Sequence, residues 1–487
     1  MSLFKSKVPI GRHSMIEDVT GKPINSLLVF SSAIKYLHDE MLKALNLNFT
    51  AIDKGDINFV FTVPAIWDDN SKQFMRIAAR EAGIDMGHLS LALEPEAASI
   101  YCRHAQLDRT YSSRMADIST FPPGTQYLVC DALGGTVDIT VHEVMKDMKL
   151  KEIEKASGGA WGGSKVDEAF EEFIDTLAGC AVMRKLKMTS MEDYLRFMRD
   201  FELTKRETKC KLATSQQIVI WIPLKLSEIV QELTGSQLKD LIERSSYKSQ
   251  VCIERDKLKC DANIISALFD DPVKSIVDHL TTLLSKYDTN QINNIVMVGG
   301  FSESPLLQEA VRNAFPGMLL TIPHDAGLAV LKGAVMFGHN KRQIVSRISR
   351  YTYGICCNML YNKAIHPAEK VIQEGPLKGL VENCFSKLVD IGQSLPSEKA
   401  AGTGSYSPPD GSSSYHAIVY ATREKQPIFV KDFGCFMIGR FNVNCKDKNG
   451  KISPTEVYIY FGGTEIEVKA TLNTTGEERA SMFDLPD

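Results

Sequence analysis

The chain has 487 residues, 44% hydrophobic and 24% charged, with a formal net charge of −4. That is enough polypeptide for two or three domains with sizeable cores, and a pI near 6.2 argues against nucleic acid as the main partner. Eleven cysteines without a repeated spacing fit free thiols of a reducing compartment. Residues 1–7 lack the apolar core of a signal peptide and no stretch is long enough to span a membrane, so the expected location is the cytoplasm.

The first clear element is an amphipathic helix over about 25–45, with Leu27, Phe30, Ile34, Leu37, Met41 and Leu45 at spacings of three and four. Residues 57–67 read as a strand stopped at Pro64, followed by a helix over 70–82 with Phe74, Ile77, Ala78 and Ala82 on one face. Residues 89–93 form a strand leading straight into Glu94-Pro95-Glu96. Proline suits a first helical turn, and acids there complement the positive end of the helix dipole. Residues 104–124 read as a surface insertion.

Residues 127–141 are the most informative stretch. Two apolar runs flank Gly134-Gly135 and carry Asp131 and Asp138, one on each side of the turn. Glycine backbone can take positive φ and bring N–H groups close to an anionic phosphate, and the two acids could hold a hydrated Mg²⁺. Beyond the turn, Thr136, Asp138 and Thr140 share one strand face and Val137, Ile139 and Val141 the other, so the polar row is expected to face a cleft. An ordinary hairpin with its acids in solvent fits the same residues.

From 157 to about 339 the pattern turns helical, with helices expected over 166–178, 191–212, 226–244 and 264–287 and strands over 217–222 and 295–298. The run Gly158-Gly159-Ala160-Trp161-Gly162-Gly163-Ser164-Lys165 has the texture of a Walker A loop without its spacing. Lys205 and Arg206 fit a solvated basic helix face as well as a binding role. Residues 294–305 read as a buried strand, a diglycine turn at Gly299-Gly300 and a helix start at Ser304-Pro305. Such a turn admits close backbone approach to a flat ligand.

Lys341, Arg342, Arg347 and Arg350 mark a basic junction over 341–352. Short apolar runs at 353–359, 388–391, 415–422, 435–443, 457–461 and 465–472 then predict an antiparallel β domain over 353–487, with 400–412 a flexible loop between two of its strands.

Taken in order, Val63-Pro64-Ala65-Ile66-Trp67, Leu93-Glu94-Pro95-Glu96-Ala97-Ala98, Gly134-Gly135-Thr136-Val137-Asp138, Gly299-Gly300-Phe301-Ser302 and Gly327-Leu328-Ala329-Val330 resemble the nucleotide-binding domain of the 70-kDa heat shock proteins. The wording is similar to the divergent heat shock 70 kDa protein 12 branch. The resemblance implies an α/β, two-lobed actin-like (ribonuclease H-like) domain, its lobes over 1–150 and 151–340, followed by a mainly antiparallel β domain. It implies Mg²⁺ held through water by Asp131 and Asp138, a phosphate loop of Gly134, Gly135 and Thr136, and Glu94 beside the metal and the attacking water. Glu202, Lys205 and Arg206 would border the adenosine of ATP or ADP, with Gly299, Gly300 and Ser302 forming the adenosine loop. Gly158-Gly159 or Gly162-Gly163 would open the second lobe.

Several departures bear on activity. No first phosphate hairpin, Asp-x-Gly-Thr followed by Thr or Ser, occurs within 1–59, and its following lysine has no candidate. A truncated reading frame is a further explanation of that absence. The look-alike at 390–394 falls in the β domain. Leu133 replaces the first glycine of the second phosphate loop, and Glu303 stands where many relatives carry an arginine that packs on adenine. Residues 483–487 do not resemble the family's Glu-Glu-Val-Asp tail, and no helical segment for a lid follows the last strand. Two expectations stay open: a chaperone-like ATP/ADP-binding protein with polypeptide clients and weak or no ATPase activity, or a pseudo-ATPase scaffold acting through protein partners. The junction, lacking an acidic leucine-rich linker, is expected to give nucleotide no lever on the β domain.

Overall fold

The computed structural model describes residues 13–18, 20–48, 53–104, 121–208, 217–288, 291–408, 412–447, 449–461, 464–473 and 478–481. Residues 1–7, 483–487, most of the expected 104–124 insertion and the end of the helix predicted to reach 212 lie outside them. Among the described residues no helix is long and apolar enough to cross a membrane.

The first described elements are a hairpin, β1 (Met15–Glu17) and β2 (Pro23–Asn25), and helix α1 (Ser26–Asn48). A βαβα unit follows: β3 (Phe59–Val63), α2 (Asp69–Glu81), β4 (Leu89–Leu93) and α3 (Glu94–His104). β3 and β4 pair in parallel, Phe59 opposite Leu89 through Val63 opposite Leu93. The Asp68 carboxylate caps α2 by accepting the Ser71 N–H at 2.8 Å, and Phe74, Ile77, Ala78 and Ala82 are all buried. α1 rests on α2 through Phe30 and Phe74, edge to face at 5.4 Å. The expected apolar stripe of α1 is only partly covered, and Leu37 is 67% exposed.

The next region contains β5 (Gln126–Ala132), β6 (Val137–Val144), β7 (Leu150–Gly159), α4 (Ser164–Ala178), α5 (Val182–Thr189) and α6 (Met191–Glu207). Then come β8 (Gln217–Trp221), α7 (Leu224–Thr234), α8 (Leu238–Arg244), β9 (Val251–Glu254), β10 (Lys257–Asp261), α9 (Ala262–Ala267) and α10 (Asp270–Leu284). It closes with β11 (Ile292–Val298), α11 (Pro305–Ala314), β12 (Leu319–Thr321) and α12 (Ala329–His339). The helix expected over 226–244 is two helices, because Gly235 adopts the left-handed conformation (φ 71°) that ends α7. The stretch 264–287 likewise divides into α9 and α10.

The last region is β13 (Ile344–Ile348), β14 (Thr352–Leu360), β15 (Leu380–Val389), β16 (Ser394–Pro396), β17 (Ala400–Tyr406), β18 (Ser414–Thr422), β19 (Phe436–Asn444), β20 (Thr455–Tyr460), β21 (Glu467–Leu472) and β22 (Glu478–Ser481). Two antiparallel sheets, β15-β14-β18-β19 and β17-β20-β21-β22, form a sandwich over a core that includes Tyr353, Val419, Phe441, Val457 and Ile459. The flexible loop expected over 400–412 is corrected in its first half: β17 pairs with β20 from Ala400 opposite Tyr460 to Tyr406 opposite Thr455. Its small residues serve close approach, since a Cβ on Gly402 would lie 2.0 Å from the Leu388 carbonyl oxygen.

A seven-stranded sheet, β12-β11-β5-β6-β7-β13-β16, organises the whole. A division at residue 150 runs through it, at the first residue of β7. The basic junction is part of it too: β13 pairs in parallel with β7, and β16 antiparallel with β13. The look-alike at 390–394 is a turn around Gly392 (φ 83°) that exchanges backbone hydrogen bonds with Ser349. Side chains alternate across this sheet. Leu128, Cys130, Ile139 and Val141 enter the core shared with Phe170, Phe197 and Phe201, whereas Tyr127 and Val129 enter the one shared with Ile100 and Phe337.

Candidate functional site

Asp131 and Asp138 stand directly opposite each other in the β5–β6 register, and both are fully buried. The expectation that the polar row faces an open cleft is therefore corrected, since Asp138 and Thr140 are 0% exposed. Like charges directly opposite in a sheet repel, and an enclosed carboxylate without a partner is costly. Both Asp131 oxygens, Asp138 Oδ2 and Glu94 Oε2 lack a hydrogen-bond partner. Glu94 joins them because β4 runs directly into α3, which places it in the first helical turn.

Burial, with the Asp131 and Asp138 charges, holds the Glu94 carboxyl well above the usual carboxylate range. Burial, with Asp138, does the same to Asp131. Burial pushes Asp138 up to about 6, opposed chiefly by the Ile66 N–H, which donates to its Oδ1 at 2.8 Å. Among the described residues no three acidic, histidine or cysteine side chains converge closely enough to ligate an ion directly. The orphaned oxygens instead fit a cation that keeps its own waters, as Mg²⁺ does.

Close approach is built by particular glycines, though not those at the hairpin turn. Neither Gly134 nor Gly135 is among the residues with positive φ, and a Cβ on Gly134 would meet nothing, which corrects the reason expected for glycine there. The turn closes with Leu133 N–H on the Thr136 carbonyl at 3.0 Å, and no left-handed residue is asked of Leu133. Gly299 carries the constraint: φ is 86°, and a Cβ would sit 2.4 Å from the Ala132 carbonyl oxygen and 2.7 Å from Asp131 Oδ1. At Gly158, opposite Asp138, it would sit 1.9 Å from the Val137 oxygen, and at Gly162 it would sit 2.4 Å from the Leu133 oxygen. Gly163 and Ser164 donate backbone N–H bonds to Leu133 and Gly134 at 3.1 and 2.7 Å, locking the start of α4 to the turn.

The remaining residues continue this surface. Lys205 is 7% exposed, pairs with Asp167 at 2.6 Å and with Glu202, and contacts the Gly163 carbonyl at 3.3 Å. It is not a solvated basic face. Arg206, bonded to Glu202 at 2.8 Å, is the exposed member. A Cβ on Gly163 would touch both Phe301 and Lys205, so the Gly299-Gly300 turn and the 202–206 helix end meet there. Ser302 is enclosed, its hydroxyl donating to the Gly299 carbonyl at 2.6 Å; it shapes the turn. Glu303 accepts the Gly327 N–H at 3.0 Å.

Sequence reasoning missed Arg350. Its Nη1 donates to the Ala65 and Trp67 carbonyls, both at 2.8 Å, bracketing the Ile66 peptide that holds Asp138. The basic junction was the available signal, but only the fold brings it to the 64–67 loop. This contact ties the junction to the loop whose Ile66 N–H holds Asp138.

A family model described as "Hsp70 protein" matches residues 40–357. Heat shock 70 kDa protein 12A of Mus musculus is 30% identical over 530 residues, covering 97% of this chain and 78% of its own length. Heat shock 70 kDa protein 12B of Homo sapiens is 29% identical over 529 residues, covering 96% and 76%. Chaperone protein HscA of Enterobacter sp. is 27% identical over 283 residues, 58% of this chain and 37% of its own. With the two-lobed α/β architecture and the enclosed acid cluster, these matches establish that the chain belongs to the Hsp70 family of nucleotide-binding proteins, on its heat shock 70 kDa protein 12 branch.

Proposed function

We propose that the chain binds ATP or ADP with Mg²⁺ between Gly299-Gly300, the Gly134-Gly135-Thr136 turn and Glu202, Lys205 and Arg206, and acts as a chaperone-like protein with weak or no ATPase activity. The observation that carries this reading is the trio of two enclosed aspartates, Asp131 and Asp138, and the half-buried Glu94, each with a buried oxygen left unpaired. Bound Mg²⁺ would supply charge neutralisation between the acids and the phosphates. Asp131 and Asp138 would hold its waters, and Glu94 would orient a water.

Slow hydrolysis follows from the charges present. Neither Asp131 oxygen has a hydrogen-bond partner among the described residues, so no cation there is bonded to that acid to neutralise a developing phosphoryl charge. The cytoplasm suits a chain whose described cysteines are all free. Polypeptide clients suit the sandwich, which exposes Leu360, Tyr361, Ile365, Ile428 and Phe433. The loops carrying them meet where His366 packs on Phe429 at 6.1 Å.

Calorimetric titration with Mg-ADP, and with ADP plus a chelator, tests the reading. Binding that requires Mg²⁺ and is lost in Asp138→Asn is expected, with single-turnover hydrolysis far below that of an intact relative. No binding at millimolar nucleotide would overturn it and leave the scaffold reading.

A further inference from the structure

Two cysteines meet across strands of the sandwich. Cys357 on β14 and Cys384 on β15 stand directly opposite each other in the antiparallel register. Partners so placed point to one face of the sheet, their Cα atoms about 4.5 or 5.5 Å apart, within the span of about 4.4–6.8 Å that a disulfide bridges. Cys356 instead faces Phe385 on the other side of the sheet. Cys357 and Cys384 are free thiols. Cys384 Sγ donates to the Val381 carbonyl at 3.3 Å and Cys357 is hydrogen-bonded to Ser386, so rotation of the two side chains toward each other brings the sulfurs together.

The pair sits at a break in the ladder. Cys357 and Met359 are two residues apart, whereas their partners Cys384 and Val381 are three apart. The extra residue is a β-bulge, taken up at Asn383, whose φ is 59°. β15 ends its sheet, and its far side is held by single bridges, Val381 with Val371 and Cys384 with Phe429. A bulged end strand of this kind opens before the strands inside the sheet. Val381, Cys384 and Phe429, with Met359, form the small core beneath the loops that expose Leu360 and Ile428.

We propose that Cys357 and Cys384 form a redox staple: a peroxide oxidises them to a cross-strand disulfide that ties β15 to β14, and a small dithiol reverses it. The half-buried Cys357 reacts first, since Cys384 is fully enclosed. Its thiolate attacks one peroxide oxygen and the O–O bond breaks, giving a sulfenic acid and, with the thiol proton, one water. The Cys384 sulfur then attacks the sulfenic sulfur; the S–S bond forms, the S–O bond breaks and a second water leaves with the Cys384 proton. The two thiols lose two electrons, which the peroxide takes up. A dithiol returns two electrons and two protons by exchange and is itself left as a disulfide. Burial, with Cys384 and Cys356, pushes Cys357 up to about 12, and burial raises Cys384. The closed strand therefore keeps both thiols protonated and slow to react. Opening of β15 gates the oxidation, and the disulfide then restrains that opening. The staple is independent of nucleotide.

Treating the full chain with hydrogen peroxide, alkylating the remaining thiols and mapping tryptic peptides by mass without reduction tests it. A link between peptides 351–363 and 379–387 is expected, two hydrogens lighter than the reduced pair and cleared by dithiothreitol. Amide protection of 380–389 in the oxidised chain should rise by about tenfold or more. Cys356→Ser, on the other face, should keep the link and Cys357→Ser should lose it. Absence of the link in wild type under conditions that oxidise the exposed Cys252 overturns the proposal without any variant. A link that Cys356→Ser abolishes, or one that leaves the protection of 380–389 unchanged, overturns it as well.

Discussion

On β5, Leu128 and Cys130 point into the core that holds Phe170 and Phe201, while Tyr127 and Asp131 point to the opposite side; on β6, Ile139 and Val141 are set against Asp138, Thr140 and His142 in the same way. The first face is packed by apolar contact alone. The second, equally enclosed, holds acids, a hydroxyl and an imidazole, several of their atoms unpartnered. Neighbouring residues on one strand thus divide between what makes the sheet stable and what makes it costly without a ligand or a proton.

The contrast is broken most severely from the apolar side. Phe170, fully buried and stacked on Phe201 at 3.8 Å, should cost about 3–5 kcal/mol when changed to alanine, measured by denaturant unfolding, and no nucleotide should restore it specifically. Next comes pH. Asp138 has about 6 in the fold against its ordinary 3.8, so its contribution to stability is full below about 3.8 and is lost as pH rises to about 6. The loss is about 3 kcal/mol at most. Saturating Mg-ADP should flatten this slope, because a cation favours the ionised acids; thermal melts across that range with and without ligand check it.

Gly299→Val forces a side chain into left-handed backbone against Ala132 and should cost about 2–3 kcal/mol while abolishing the Mg-ADP thermal shift. Asp131→Asn should separate the two roles. Apo stability stays level or rises by about 1–2 kcal/mol as the opposed charges are relieved, while Mg²⁺-dependent affinity falls at least tenfold by calorimetry. The smallest effect belongs to Gly134→Ala: its Cβ meets open space, so stability should stay within about 0.5 kcal/mol and nucleotide binding should persist.

Much of the architecture was legible because it follows local rules. The period of two on β6 separated Asp138 from Ile139, and Pro95 and the acids beside it marked the start of α3. What escaped the sequence depended on long-range packing. Ala400–Tyr406 looked like a loop because its glycines are there to admit Leu388. Gly134 looked essential and Gly158 optional, whereas the backbone contacts at Gly158 and Gly162 come from strands and turns far away in the chain. Lys205 read equally as surface charge until Asp167 and Gly163 were brought to it. The acids of the site could be named from their pattern, but their enclosure could not.

The sheet does not stop where the sandwich begins, because β13 and β16 extend it past β7. Mechanically, the molecule is a plate with a block fastened along its rim. A pull parallel to β13 loads its bonds to β7 together, in shear, whereas a pull across the rim opens them one after another. The attachment is therefore stiff to sliding along β13, while peeling is resisted by bonds off the ladder, Arg350 to the Ala65 and Trp67 carbonyls, Tyr353 to Asp69 and Arg76 to Glu465, which a sideways pull must break first.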